Sequence, residues 1–323
     1  MAASRPHVLI LRSGGNVTSK TLTHATARAQ IAGQTVVGTT AHYVVYTDGS
    51  SDGTASAQAV LARCEDDYTA VTGYFSGLAL PPGQEGDDQT TPRTATPLHV
   101  LIDPQAGGAY HFGCDATDLY IQPQTDLAAG LVVAELVEVF EAAQGKGWDC
   151  GQANGEALSR ALATERTPAL GSLTQQTAQG WWSNGHADYV TDNSADDQNQ
   201  DSNGCGPLFL SYLHSQLNYS WPQIVAAGGS SLGATYQSLT GKSPATGFND
   251  FLSRLQTLDN GGQISLPTSG NPFPIAGTAT PGPSSSPSSG SGAPNLGSNA
   301  LPIIIGVVVL AIIAAIVFFV THR

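Results

Sequence analysis

The stretch Leu127–Gln144, LAAGLVVAELVEVFEAAQ, limits what this chain can fold into more than any other segment. It is apolar around most of its circumference and too long for a strand, so it reads as a helix lodged at the centre of a domain. Three acids interrupt it, Glu135, Glu138 and Glu141. On a solvated stripe they would be ordinary; on a central helix each needs a partner, because burying an unpaired charge is expensive.

The elements around this helix follow from pattern. His42–Thr47 (HYVVYT) reads as a strand and Thr54–Phe75 as one helix. Leu98–Ile102, Ala109–Phe112 and Leu119–Ile121 read as three short strands parted by Gly and Asp turns. After Asp126 the periodicity turns helical, at Glu156–Glu165, Gly206–Leu217, Trp221–Ala227, Ser231–Leu239 and Phe248–Leu258. Strands first and helices after predict an α+β fold: a small antiparallel or mixed sheet followed by a mainly helical half.

Charge narrows the partners. Twelve Lys and Arg stand against 25 Asp and Glu, a net charge of −13, so there are too few cations to cluster on a nucleic-acid backbone. Asp259 is the last charge before Arg323, and Thr278–Ser298 is nearly all Pro, Ser, Gly, Thr and Ala. Such a stretch cannot bury enough apolar surface to offset its chain entropy and reads as a stalk. Leu301–Val320 is an uncharged run, LPIIIGVVVLAIIAAIVFFV, long enough as a helix to cross a hydrocarbon core of about 30 Å. The expected organisation is an N-terminal segment over 1–35, a globular domain over 36–260, a linker over 261–300, a single membrane span over 301–320 and a short tail over 321–323.

The side of the membrane stays open. Val8–Leu11 is too short an apolar run for a secretory leader, which points to a cytoplasmic domain. Arg323 beyond the span, the scarcity of lysine and four cysteines tip the reading towards the extracytoplasmic face. Cys64, Cys114, Cys150 and Cys205 form no C-x-x-C and allow three pairings.

Ala134-Glu135-Leu136-Val137-Glu138 keeps the frame of the zinc-peptidase motif H-E-x-x-H with both histidines replaced, and Glu156 follows 18 positions after Glu138 on a second predicted helix. Over roughly residues 98–258 the chain thereby resembles the catalytic domain of gluzincin (thermolysin-like) metallopeptidases. The run SNGCGPLFLSYLHSQL with SWPQIVAAGG and LGATYQSLTGK is also similar to bacterial single-pass membrane proteins, a likeness that implies no activity. The gluzincin resemblance places Glu135 at the general-base position, Glu156 at the third-ligand position and Glu138 where the second imidazole would be. It also places Ala134, which has no donor atom, at the first-ligand position. The strands before the helix would cover the substrate cleft, and His111, on what would be an edge strand, is the histidine best placed to supply an imidazole.

A site of two carboxylates and no imidazole is poor for Zn²⁺, so no catalytic metal or other cofactor is expected. The expectation is a membrane-anchored, non-catalytic peptidase-like domain whose vestigial cleft, around Glu135, Glu138, Glu156 and His111, binds a peptide or a polysaccharide. The alternatives are a hydrolase that uses Glu135, Glu138 and Glu156 as acid–base carboxylates, and a purely structural surface protein. Two further features carry ligand readings. Asn199, Asp201, Asn203 and Gly204 resemble the opening of a Ca²⁺ loop with Asn199 in place of the first Asp, and Leu210 stands where the closing Glu belongs; the other reading is a solvated acidic loop with Ser202 or Asn203 capping the next helix. Trp181, Trp182 and Trp221 read as a carbohydrate or peptide platform or as packing corners.

Overall fold

The structure, a computed structural model, describes residues 6–10, 33–80, 96–195 and 197–257. All lie within one compact unit, Met1–Thr280. The linker over 261–300 and the membrane span over 301–320 lie outside the described residues, among which no helix is long and apolar enough to cross a membrane.

Six strands form one mixed sheet: β1 (Pro6–Ile10), β2 (Thr35–Thr39), β3 (Tyr43–Thr47), β4 (Leu98–Ile102), β5 (Gly108–Phe112) and β6 (Asp118–Ile121). Their spatial order is β1-β5-β6-β4-β3-β2. The central strands β3, β4 and β6 are parallel, with Val45 opposite Val100 and Val100 opposite Leu119. The outer pairs β2–β3, β5–β6 and β1–β5 are antiparallel. Chain reversal between parallel β3 and β4 is made by two helices, α1 (Ser51–Leu61) and α2 (Cys64–Tyr74). Ser50 starts α1 by accepting a hydrogen bond from the Gly53 amide.

The remaining helices are α3 (Ala128–Gln144), α4 (Ala153–Arg166), α5 (Gly171–Ser183), α6 (Gln200–Ser215), α7 (Trp221–Ala226), α8 (Leu232–Thr240) and α9 (Pro244–Gln256). The α+β class is as expected, and β3 to β6 match the strands read from pattern to within a residue at each end. Three local readings need correcting. The single helix expected over Thr54–Phe75 is two, because the chain breaks at Ala62–Arg63. There the Arg63 backbone leaves the helical region, and its guanidinium turns to Asp67 and to the Arg166 carbonyl oxygen. Helix α5 had no counterpart. The N-terminal segment, placed outside the globular part, contributes β1, which lies along the outer side of β5.

Side-chain alternation divides the sheet. Tyr43, Val45, Leu98, Val100, Ile102, Ala109, Leu119 and Ile121 face the helices and join the main core; Leu101, Tyr110, Phe112 and Tyr120 form a second cluster on the other face. Helix α3 lies against β5 and β6 and is flanked by α1, α2 and α4. Every residue from Ala128 to Glu141 is buried, so no solvated stripe exists and all three acids are inside. Gly145, in the left-handed region, ends the helix.

Helix α4 begins unusually close to the Asp149–Cys150 backbone. A Cβ on Gly155 would overlap the Asp149 carbonyl. Gly155→Ala is therefore expected to destabilise the domain by about 1–3 kcal/mol, read as a lower urea midpoint. Gly180→Ala on α5, where a methyl would meet no atom within 4 Å, is expected to be neutral or stabilising.

Candidate functional site

The carboxyl groups of α3 point into the space between the sheet and α4. His111 projects from β5 on the helix-facing side, and its Nδ1 lies 2.6 Å from Glu135 Oε2. One proton sits between them, since no other polar arrangement supports such a short contact. Glu138 Oε2 lies 3.9 Å from the same nitrogen. One turn further on, Glu138 reaches across to the Ser159 hydroxyl on α4. Glu156, in the first turn of α4, accepts a hydrogen bond from Arg160 NH2 at 3.2 Å. His111, Glu135, Glu138, Glu141 and Glu156 are all 2% exposed or less, so the cluster is closed to solvent.

Closure and crowding set the protonation. Burial pushes Glu138 well above the ordinary carboxylate range, and the negative neighbours Glu156, Glu135 and Glu141 push the same way. Glu156 is pushed up to about 8: burial dominates, the Arg160 guanidinium pulls down, and Asp197 and Glu135 push up again. Glu141 is raised well above its usual value by burial and then by Glu156 and Asp149. Neither Glu141 carboxyl oxygen has a hydrogen-bond partner among the described residues, nor does His111 Nε2. Several carboxyls packed together without water can coexist only if most of them keep their protons.

The sequence placed Glu135, Glu138, Glu156 and His111 in one site, and the structure brings all four together. The setting of His111 differs from expectation. Its strand is not an edge, because β1 covers β5 on the outside, and β4 and β6 are interior strands. Four members of the cluster were missed. Arg160 was legible as the i+4 partner of Glu156, and Ser159 lies on the same helix. Glu141 was noted among the acids of the central helix but given no place in the site, and Asp197, 7% exposed, comes from a loop whose approach has no local signal.

The gluzincin frame does not fit zinc here. Ala134 offers a methyl group, Glu138 is engaged with Ser159, Glu156 with Arg160, and the nearby imidazole spends Nδ1 on Glu135. The Ca²⁺-loop residues are wound into a helix rather than a loop. Asn199 is the N-cap of α6, with Oδ1 accepting from the Asp201 and Ser202 amides. Asp201 accepts from Asn184, and Asn203 Nδ2 donates to the Asp197 carbonyl oxygen, so the cap is Asn199 rather than Ser202 or Asn203. The tryptophans are core residues. Trp181 is fully buried and stacks on Phe251, while Trp182 and Trp221 are 7% and 5% exposed, so they form no open platform. Cys114 and Cys150 form a disulfide; Cys64 and Cys205 are buried thiols. No family model, curated protein or solved structure matches this chain.

Proposed function

We propose that this is a non-catalytic domain of gluzincin-like fold, tethered to a membrane through residues 301–320, that binds an extended peptide or polymer. The observation that carries the reading is the meeting of Glu135, Glu138, Glu156 and His111 on consecutive helices and the adjoining strand, sealed from solvent, with Ala134 where a first metal ligand would stand. A hydrolytic centre needs substrate and water within hydrogen-bond reach of its base, and here protein fills that space. The acid–base alternative draws support from a raised Glu156 beside a second carboxyl, the pattern of a general acid and its partner, but the same burial opposes it. Because the cluster is sealed, we move ligand binding from the expected vestigial cleft to β2, the outer strand of the sheet among the described residues, where Val36 is 50% exposed and strand addition could recruit an extended chain. The Cys114–Cys150 disulfide favours the extracytoplasmic side.

The test is metal analysis of the oxidised full-length chain together with a broad peptidase and glycosidase screen. Neither stoichiometric zinc nor turnover is expected. Zinc bound one to one with peptide cleavage, and loss of that cleavage in Glu135→Gln, would overturn the reading and make Glu135 a general base.

A further inference from the structure

Next to His111 and Glu138 of the acid cluster lie two cysteine sulfurs, a ligand type that the gluzincin frame does not use. A ring nitrogen of His111, a carboxylate oxygen of Glu138 and Sγ of Cys150 lie within 4.8 Å of one another. Sγ of Cys114, a carboxylate oxygen of Asp149 and Sγ of Cys150 form a second group of the same tightness. The two groups share Cys150, and between them they contain two sulfurs, an imidazole and two carboxylates. His111 is fully buried, and its Nε2 has no hydrogen-bond partner among the described residues, an unusual state for a buried ring nitrogen. Cys114 is half-buried and Asp149 exposed, so a cation has a route inward from that side.

A disulfide sulfur is a poor metal ligand, whereas a thiolate is a strong one. We propose that Cys114 and Cys150, once reduced, form with His111 and a carboxylate oxygen of Glu138 or Asp149 a tetrahedral Zn²⁺ site, which the disulfide keeps closed. The donor set is of the sulfur, nitrogen and oxygen kind that zinc prefers. Zn–S bonds of about 2.3 Å and Zn–N bonds of about 2.0 Å need donors roughly 3.5 Å apart; each group of three lies within 4.8 Å, and joining them around one ion requires Cys114 to close on the His111 side. The loop between β5 and β6 that carries Cys114 can supply that movement once it is released from Cys150. His111 and Glu138 are shared with the gluzincin frame, but both sulfur ligands lie outside it, and the proposal does not depend on the peptidase kinship.

In a cell the reductant is a dithiol. Its thiolate attacks one sulfur of the Cys114–Cys150 bond and the other leaves as a thiolate. The second thiol of the reductant then displaces the mixed disulfide, so two electrons pass to the cysteines and the dithiol becomes a disulfide. Zinc binding keeps both cysteines as thiolates and releases their protons to solvent.

The experiment uses the full chain with a phosphine reductant, which is oxidised to the phosphine oxide with oxygen from water and leaves no competing dithiol. After reduction, zinc addition and desalting, about one zinc per chain is expected by mass spectrometry, against none for the oxidised protein. Zinc should raise the melting temperature of the reduced form only, and Co²⁺ in its place should show a sulfur-to-cobalt charge-transfer band. Cys114→Ser, which leaves the Cys150 thiol permanently free, should take up metal without reductant, and Cys150→Ser should take up none under either condition. Three results would overturn the proposal: a reduced chain that stays folded without binding zinc, one that unfolds even with zinc present, or uptake unchanged in Cys150→Ser. Zinc bound by the oxidised chain would also overturn the proposal, whereas peptide cleavage by that chain counts against the proposed function alone, so the two failures are distinguishable.

Discussion

Raising the pH from 5 to 8 is expected to weaken this fold, against the usual trend in which stability climbs as carboxylates ionise. Glu138, Glu141 and Glu156 all hold their protons more tightly inside the domain than at the ordinary glutamate value of 4.5, and Glu156 does so up to about 8. In the unfolded chain the same groups ionise near 4.5. Between those limits the folded state binds more protons, so its advantage is complete below the lower limit and is lost progressively as pH rises through the folded values. Each carboxyl that stays protonated contributes a slope of about 1.4 kcal/mol per pH unit. Coupling within the cluster makes the groups titrate as a set, so the slopes do not simply add.

Carboxylates held low in the folded state act in the opposite sense; among the described residues they are Asp48, Glu65 and Asp192. Their influence ends below pH 5, outside this window. Urea midpoints at pH 5 and pH 8 measure the effect. Glu141→Gln, which removes the acid with no hydrogen-bond partner for either oxygen, should flatten the profile and stabilise the protein at pH 8. A midpoint that is level or rising across this window would show that the cluster is ionised, and with it that water reaches the site.

Asp67→Ala is expected to cost about 3 kcal/mol, far more than loss of a surface ion pair. Asp67, with its side chain 3% exposed, receives Arg63 Nε at 2.7 Å, Arg63 NH2 at 2.9 Å and Arg166 Nε at 2.9 Å. Arg63 also donates to the Arg166 carbonyl oxygen at 2.7 Å. One carboxylate thus joins the break between α1 and α2 to the last turn of α4, the helix that supplies Glu156. Its removal leaves two guanidiniums facing each other; both are about a third exposed and recover part of the loss by hydration. Asp67→Asn should fall between, and Asp250→Ala gives the contrast. Its partner Lys242 is 3.8 Å away with both side chains largely in water, so a change of no more than about 0.5 kcal/mol is expected in the same urea titration.

How much of this was legible depended on whether the signal was local. Strands such as YVVYT and LHVLI announce themselves by branched and aromatic residues, and α3 by its length and apolarity. The meeting of Glu135, Glu138 and Glu156 was expected from the gluzincin resemblance, which set the three acids on two consecutive helices. Helix α5 was missed because its inward positions include Thr174 and Ala178 beside Trp181 and Trp182, a polar and small face without the usual apolar contrast. The place of Glu141 in the cluster was missed because helical spacing sets a side chain's direction, whereas the bodies packed on every side of α3 decide what that direction meets. The Cys114–Cys150 pairing and the approach of Asp197 depend on how separate segments dock, which no short window contains.

Strand β1 has a practical consequence. Its partner β5 lies about a hundred positions later in the chain, with Val8 opposite Tyr110, so this ladder forms only after a long intervening loop has closed. A recombinant fragment begun at residue 36 would leave one whole side of β5 as a row of bare amides and carbonyls, an invitation to intermolecular strand pairing. Production of the domain for any of these measurements should therefore retain the first ten residues, and insoluble inclusion bodies from a shorter version would reflect a missing neighbour rather than an unstable interior.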